Sequence, residues 1–502
     1  MALTRPIWYA HGVILPIGAL DPASEIPLYR QLYDAIRRQI ESGGLEKGGR
    51  LPATRELAGQ LGLNRATISA AYELLEADGL ITGHVGRGSF VSSGAPKTGV
   101  HWSEILAPSL LSLPGSPAPA ALASFSSSRP SELLFPLDDF RATCEEVIQG
   151  AEAPTILQLG SPSGYPPLRR YLLDLARAEG VARDSDDILI TSGCQQAIHL
   201  LQSTLVRNGE TVLLEEPVYP GMKKVFERSG AHLVGVPVGP QGIDLEALER
   251  SIEREHPRLL AITSNFQNPT GATLSLASRQ ALLRIVQAAG VIVVENDIYG
   301  ALAYEGDAIP SLKQLDETGD TILLRSFSKI AFPGLRVGWA IGPRPLIEKL
   351  TEAKQWSDLH TDQLSQAILL RFAQSGRLEH HRQRMLTAGR ERLHAVLDAC
   401  RKYLPAEVEF TRPRGGMSLW MRLPEPLDAG ELLPRAEREG VTYLPGRYFA
   451  VSRPQPGSLR ISFAEMTPEQ IRSGIAVLGR IFKNELERVR AYSPLAEAPA
   501  MV

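Results

Sequence analysis

Polar, aromatic and glycine residues follow five short apolar runs, at the point where each run ends. The runs are residues 188–190, 211–214, 259–262, 291–294 and 322–324, and they are typical of buried strands. The residues that follow them include an asparagine, an aspartate, two tyrosines and Lys329. Because ligands bind beyond the carboxyl ends of the strands in a mainly parallel sheet, we expect these residues to share one site.

A lysine that converges with an acid, an asparagine, an aromatic ring and an anion-binding helix start suits pyridoxal 5'-phosphate. Lys329 can form the Schiff base, and Asp297 can hold the pyridine nitrogen protonated. Tyr219 can stack on the ring, while Asn268 and Tyr299 can hydrogen-bond to the ring oxygen. The residues predicted at the phosphate, with Gln195 beside them, are Gly193, Cys194, Ser326, Ser328 and Arg336.

Each of these motifs also has an ordinary structural explanation when it is taken alone. Residues 191–197 suit a plain turn between a strand and a helix, and residues 268–271 follow the Asn-Pro-x-Gly turn formula. A single tyrosine such as Tyr219 suits a core aromatic, and a single loop lysine is usually solvated. The combination indicates the cofactor, and no single motif does.

Amphipathic helical patterns lie between the apolar runs. This alternation predicts an α/β fold with a mainly parallel sheet. Further along the chain, residues 419–423 and 459–463 are predicted strands of a smaller domain, and a helix begins after Thr467 with a capping box and a proline in its first turn.

The N-terminal part shows three helical patterns followed by a hairpin. The first helix starts at Pro27, the second spans residues 54–61 with Thr54 as its cap, and Asn64 caps the third. A hairpin with a glycine-rich tip at residues 83–88 follows. This order suits docking in the major groove of DNA.

Four side chains of this part are placed to contact DNA. Arg55 and Arg65 stand near helix starts, where phosphate is favoured, Ser69 lies on the outward face of the third helix, and Arg87 at the hairpin tip can reach a minor groove. Residues 25–93 carry eight Lys or Arg and eight Asp or Glu. Because these charges balance, the alternative to a DNA-binding domain is a helical bundle whose polar face is solvated.

Composition bounds the remaining possibilities. The chain has 502 residues, 43% hydrophobic, with a net charge of −3, which predicts two or three domains and gives no whole-chain signal for nucleic acid or membrane. Its three cysteines lack zinc spacing, so we expect no metal site, and they suit a reducing compartment. We expect neither a signal peptide nor a membrane span, and therefore a cytoplasmic protein.

A composition shift to Ser, Pro, Ala and Gly at residues 92–130 predicts a linker. The predicted organisation is an extension at residues 1–24, a DNA-binding domain at 25–93, the linker at 94–130, a cofactor-binding domain at 131–490 with its small domain mainly at 375–490, and a tail at 491–502.

Residues 51–58, 61–68, 71–72 and 79–81 together resemble the GntR-type winged helix-turn-helix. The resemblance covers about sixty residues and outweighs the solvated-bundle alternative. It implies DNA contacts at the positions of Arg55, Arg65, Thr67, Gly86 and Arg87. Asn64 and Ala53 stand where serine is common in that family, and both changes are mild.

The second half resembles the class I/II aminotransferases of fold type I, from about Gly160 to about Phe482. The motifs are Ser-Gly-Cys-Gln-Gln-Ala, Asn-Pro-Thr-Gly, Asn-Asp-Ile-Tyr, Ser-Phe-Ser-Lys and Pro-Gly-Leu-Arg-Val-Gly. The resemblance implies the cofactor contacts given above, and Arg460 matches the position that binds a substrate carboxylate, for which a forked guanidinium is suited. Asn296 departs from the family, because an acid often stands there.

The two modules on one chain resemble MocR/GabR-type transcriptional regulators. That resemblance implies a homodimer that binds double-stranded operator DNA and senses an amine or amino acid. Two alternatives remain open from the sequence. One is an active aminotransferase with a secondary DNA-binding domain, and the other is a regulator that senses only the cofactor.

Overall fold

The computed structural model describes residues 20–21, 26–84, 88–92 and 122–492. The chain divides into two compact units between Leu110 and Leu111. None of the helices within the described ranges has the length and apolar character that crossing a bilayer requires.

The first unit consists of three helices and a two-stranded hairpin. Its elements are α1 (Leu28–Glu41), α2 (Thr54–Leu61), α3 (Arg65–Ala77), β1 (Ile81–His84) and β2 (Gly88–Val91). The strands pair antiparallel from Ile81 opposite Val91 to His84 opposite Gly88. The three helices share one core, in which Leu32 and Ile36 of α1 pack with Ile68 and Leu75 of α3.

The caps of the first unit match the sequence prediction at one helix and differ at another. The side chain of Asn64 accepts a hydrogen bond from the backbone N–H of Ala66 at 2.9 Å, as an N-cap does. The predicted Thr54 cap is wrong, because Thr54 is already the first helical residue and Ala53 holds the cap position without a side-chain bond.

The second unit is an α/β structure. Its strands are β3 (Ala123–Ser124), β4 (Asp186–Thr191), β5 (Thr211–Glu216), β6 (His232–Gly239), β7 (Gly242–Ile243), β8 (Leu259–Ile262), β9 (Ile292–Asn296), β10 (Thr321–Ser326), β11 (Gly338–Pro343), β12 (Glu409–Phe410), β13 (Ser418–Arg422), β14 (Val441–Thr442), β15 (Leu444–Pro445) and β16 (Ser458–Ser462).

Helices cover and connect these strands. They are α4 (Leu137–Gln149), α5 (Ala153–Ile156), α6 (Pro166–Ala178), α7 (Cys194–Leu205), α8 (Pro220–Arg228), α9 (Leu245–Glu255), α10 (Leu276–Ala288), α11 (Leu312–Leu315), α12 (Arg344–Asp358), α13 (Gln363–Gln374), α14 (Arg377–Tyr403), α15 (Ala429–Arg438) and α16 (Pro468–Tyr492).

The large sheet has the strand order β4-β11-β10-β9-β8-β5-β6-β7. The central strands are parallel, while β11 is antiparallel to both of its neighbours. All five predicted runs lie in this sheet, and residues such as Leu213, Leu260 and Leu323 are fully buried. The parallel strands β5, β8, β9 and β10 end at one edge, which places the residues after them together.

A smaller sheet, β12-β13-β16-β15, lies in the C-terminal part with the long helices α14 and α16. Both predicted strands are present as β13 and β16. The predicted capping box at α16 is also present, because the N–H of Thr467 donates to the Gln470 side chain and the N–H of Gln470 donates to the Thr467 hydroxyl.

Residues 122–130, assigned by composition to the end of the linker, are part of the second unit. Strand β3 pairs parallel with β14, and the backbone N–H of Ser462 donates to the carbonyl of Phe125 at 3.0 Å. Phe125 has no exposed surface and joins the core of the small domain. One buried aromatic fixes this stretch, although serine and proline dominate its composition.

Candidate functional site

A cavity of about 400 Å³ lies at the carboxyl ends of the parallel strands. All of the predicted cofactor residues except Gly193 and Asp297 line it, and so does Arg460. Gly193 and Asp297 lie directly beside it, Gly193 as the residue before α7 and Asp297 as the residue after β9. The sequence prediction that these residues share one site therefore agrees with the geometry.

One end of the cavity is built to receive an anion. Helix α7 begins here, and its N-terminal backbone N–H groups carry partial positive charge. The Arg336 guanidinium lies 3.4 Å from the hydroxyl of Ser328, which is 2.9 Å from that of Ser326. Gly193 has a φ of +77°, which favours glycine, and a Cβ there would lie 2.3 Å from Nη2 of Arg336, so the guanidinium would have to move away.

Cys194 is a neutral contributor to this end. Its thiol lies 3.2 Å from the carbonyl oxygen of Arg325. Burial raises the pKa of the thiol to about 12, although the nearby Arg336 and Lys329 oppose that rise. The thiol therefore stays protonated at neutral pH. It lines the cavity as a neutral side chain and is not a thiolate nucleophile.

Lys329 extends into the cavity from the segment after β10. Its Nζ donates a hydrogen bond to the carbonyl of Ser128 at 2.5 Å and lies 5.7 Å from the ring centre of Tyr299. Enclosure by protein lowers the pKa of the amine to about 8, and the positive charges of Arg460 and Arg336 add to this effect. Roughly a tenth of the amine is thus neutral at pH 7, and this fraction, which rises with pH, is the nucleophilic form.

Asp297 is held by two donors that the sequence did not reveal. Its carboxylate accepts from the Asn265 amide at 2.8 Å and from Nε of Arg325 at 3.1 Å. Asn265 is in turn fixed by the fully buried Arg279, whose Nη2 donates to its amide oxygen at 2.5 Å. These contacts orient the carboxylate of Asp297. Arg279 belongs to α10, and no sequence motif indicated its role.

Asn268 connects two of the predicted partners. Its amide nitrogen donates to the Tyr299 hydroxyl at 3.4 Å, and its amide oxygen accepts from Nη1 of Arg460 at 3.1 Å. Tyr219 lies on the open side of the cavity, with 37% of its surface exposed. An aromatic face in this position is available for stacking.

Arg460 is buried, with 4% of its surface exposed. Besides Asn268 it donates from Nη2 to the carbonyl of Ser126, and its guanidinium lies 5.2 Å from the ring centre of Phe449. Burial lowers its pKa to about 10, so it remains a cation at neutral pH. A buried cation without a carboxylate partner is costly, and this arrangement suits an anionic ligand.

The site also fits a polar cofactor by its unmet hydrogen bonds. Three buried polar atoms that no described residue bonds belong to residues that line this cavity, whereas such atoms are rare in native interiors. They are Gln195 Oε1, Asn296 Oδ1 and Arg460 Nε. Asn296, the departure from the aminotransferase pattern, thus presents an amide to the cavity, while the neighbouring Glu295 is bonded to the backbone of α11.

The first unit presents its predicted DNA-contacting residues on α2 and α3. Arg55 lies in the first turn of α2 and Arg65 begins α3, and both are exposed. Thr67 and Ser69 are half-buried on α3. Gly86 and Arg87 lie outside the described residues.

Two families match the chain. The class I and II aminotransferase family matches residues 132–478, and the gntR family of bacterial regulatory proteins matches residues 28–91. The 2-aminoadipate transaminase of Thermus thermophilus is 38% identical over 372 residues, which cover 73% of this chain and 91% of that protein.

A full-length relative and a solved structure extend the comparison. The probable rhizopine catabolism regulatory protein MocR of Rhizobium meliloti is 28% identical over 475 residues, which cover 92% of this chain and 95% of that protein. The structure of LysN, an α-aminoadipate aminotransferase of Thermus thermophilus complexed with N-(5'-phosphopyridoxyl)-L-leucine, is similar with a TM-score of 0.69 and 36% identity, covering 73% of this chain and 93% of that one.

The cavity, its donor set and these relatives agree with one another. The chain therefore belongs to the class I and II aminotransferase family, and its fused GntR DNA-binding domain makes it a MocR-type transcriptional regulator whose cofactor is pyridoxal 5'-phosphate.

Proposed function

We propose that this regulator senses an amino acid in its aminotransferase-like domain and changes its affinity for an operator in response. The observation that carries the proposal is the pairing of an amine nucleophile, Lys329, with a buried carboxylate-binding cation, Arg460, in one cavity of a DNA-binding chain. An amino acid carries a primary amine, which can react with the cofactor that Lys329 holds, and a carboxylate, which Arg460 can bind. Since its target is DNA, we place the protein in the bacterial cytoplasm.

The residues of the cavity have separate roles in this proposal. Pyridoxal 5'-phosphate supplies a carbonyl that reacts with primary amines and a ring that accepts electrons. Lys329 would provide the amine that holds the cofactor, Asp297 would keep the ring nitrogen protonated, and Asn268 and Tyr299 would hydrogen-bond to the ring oxygen. The start of α7 would hold the phosphate together with Gly193, Cys194, Gln195, Ser326, Ser328 and Arg336.

Catalytic turnover is the second candidate function. The observation in its favour is that every residue the aminotransferase pattern requires for amine chemistry is present, and 2-aminoadipate transaminase is a relative. Sustained conversion of an amino acid and a keto acid at about 1 per second or faster would favour an enzyme. A regulator needs only the binding step.

The experiment for sensing is fluorescence anisotropy with DNA upstream of the protein's own gene and a scrambled duplex, at fixed salt. The first probes are L-2-aminoadipate and L-leucine, which are named with the relatives above. We expect a ligand-dependent change of about 5- to 150-fold in affinity for the specific duplex. A response to cofactor alone, with no further effect of any amino acid, would instead indicate a vitamin B6 sensor.

Arg65→Ala is expected to weaken binding to the specific duplex by about 1–3 kcal/mol, roughly 5- to 150-fold. Arg65 is the exposed first residue of α3, and this fold docks its third helix in the major groove. The cofactor spectrum should not change, because the residue belongs to the other unit. Arg38→Ala, an exposed arginine in the last turn of α1, is the matched control and should have little effect. Equal losses in the two variants would contradict the assigned docking helix.

We also propose a homodimer formed through the second unit. An apolar patch there consists of Leu157, Leu159, Trp356 and Leu359, of which Leu159 is 73% and Trp356 83% exposed. The two segments are adjacent, because the Gln363 side chain donates to the carbonyl of Gln158 at 2.7 Å. Large exposed apolar groups on a soluble protein mark an interface.

Trp356→Arg is expected to raise the dimer dissociation constant by about tenfold or more, since an exposed tryptophan in an apolar patch is a typical hot spot. Sedimentation velocity across a concentration series measures the change. Leu276→Arg, which alters an exposed leucine at the start of α10 outside the patch, serves as control. An unchanged dimer in the Trp356 variant would place the interface elsewhere.

A further inference from the structure

Residues 126–129, here called the strap, form one wall of the cavity. They contact both groups that the proposed function assigns to an amino acid. The carbonyl of Ser126 accepts from Nη2 of Arg460, and the carbonyl of Ser128 accepts from Nζ of Lys329. A piece of the chain's own backbone therefore occupies the carboxylate-binding group of the site.

The strap is fixed on both sides. Before it, β3 pairs with β14 and the carbonyl of Phe125 is bonded to Ser462. Within it, Arg129 forms an ion pair with Glu465 at 2.5 Å. After it, Ser131 is buried. Only five residues, 126–130, separate the anchored Phe125 from the buried Ser131, so a shift at Ser126 is passed to its neighbours.

A ligand carboxylate that binds the Nε–Nη2 side of Arg460 meets the Ser126 carbonyl at Nη2. Arg460 uses Nη1 for Asn268 and Nη2 for the strap, and no described residue accepts a hydrogen bond from its Nε. A carboxylate carries a full charge and can engage a guanidinium through two parallel bonds, which are roughly twice as strong as bonds to a neutral acceptor. It should therefore displace the carbonyl.

We propose that the strap is an internal occupant of the carboxylate subsite and that its displacement by a ligand carboxylate is the signal for the DNA-binding unit. This inference rests on the proposed sensing function and assigns its effector class. In chain order the strap is the part of the cavity wall nearest to the DNA-binding unit. An effector must then carry a carboxylate, whereas a simple amine engages the cofactor and leaves the strap in place.

The test compares L-leucine with 3-methylbutylamine, which is leucine without its carboxylate, on the full-length protein loaded with cofactor. Glu465→Gln removes the anchor of Arg129 and lies outside the cavity lining. Because a partly exposed ion pair contributes little, we expect the half-saturating leucine concentration, followed by cofactor absorbance, to fall about two- to fivefold. The value for 3-methylbutylamine should not change.

Glu469→Gln is the matched control, since it removes a surface ion pair with Arg472 on the same helix end. It should leave both ligands unaffected. Hydrogen exchange of the peptide covering residues 122–131 should rise with leucine and stay constant with the amine. Equal shifts for the two ligands in the Glu465 variant, or unchanged exchange with bound leucine, would overturn the strap proposal.

The DNA readout separates this proposal from the function on which it rests. If leucine moves the strap and DNA affinity does not respond, amino-acid sensing and the role of the strap as the signal both fail, and only its assignment as the occupant of the carboxylate subsite stands. If leucine and 3-methylbutylamine change DNA affinity equally, sensing stands and the role of the strap as the signal is wrong.

Discussion

Lys329→Ala is expected to abolish covalent attachment of the cofactor and to reduce the ligand-induced change in DNA affinity to less than about twofold, from the 5- to 150-fold expected for the native protein. Lys329 is the lysine among the described residues that line the cavity. Its pKa is lowered to about 8 by enclosure and by Arg460 and Arg336. Alanine removes the nucleophile without adding bulk.

Absorbance of the bound cofactor and anisotropy of the labelled operator measure the two effects. Lys223→Ala is a suitable control, because its amine bonds to the carbonyl of Ala450 at 2.6 Å outside the cavity lining. Basal affinity for the operator should be preserved in both variants. A ligand response that survives in the Lys329 variant would show that sensing does not need the covalent bond.

The sequence could predict the site because parallel strands end at the same edge of the sheet, so the residues that follow each strand in the chain lie together in space. Each apolar run ended where its motif began, so chain order alone placed Asn268, Asp297 and Lys329 at one edge of the sheet. Patterns of this kind need no knowledge of which segments meet.

Contacts between distant segments could not be predicted. The bond from Asn265 to Asp297 and its support from Arg279 depend on how α10 packs against the sheet. Glu216 gave no signal either, although its carboxylate accepts the backbone N–H groups of Val451, Ser452 and Arg453 and so ties β5 to the small domain. Nothing in the spacing of these residues indicates that they meet.

The strap shows what amino-acid composition alone could not predict. Residues 122–130 have the serine and proline content of a linker, but Ala123 and Phe125 are buried in the core of the small domain. A short pairing with β14 then brings two main-chain carbonyls into the site. Because backbone carbonyls are the same in every residue, no sequence motif could have revealed that they compete with a ligand.

Arg460→Gln is expected to raise the half-saturating concentration of L-leucine by about 30-fold or more, corresponding to about 2–5 kcal/mol for truncating one partner of a buried charge pair. The side chain is buried and its pKa of about 10 keeps it charged at neutral pH. Its affinity for a carboxylate should therefore be constant below about pH 9 and fall as the pH rises through 10.

The same variant should leave 3-methylbutylamine binding within about threefold of the native value, because that amine has no group for the guanidinium. Arg447→Gln, an exposed arginine stacked on Tyr448 in the same small domain, controls for loss of charge. Glutamine can still donate a hydrogen bond to Asn268 but lacks the forked guanidinium, so the variant should still retain the cofactor. If the binding of both ligands weakened equally in the Arg460 variant, Arg460 would be a structural support of the cavity. Another cation of the site would then have to recognise the carboxylate. Arg129 and Arg336 are the candidates among the lining residues.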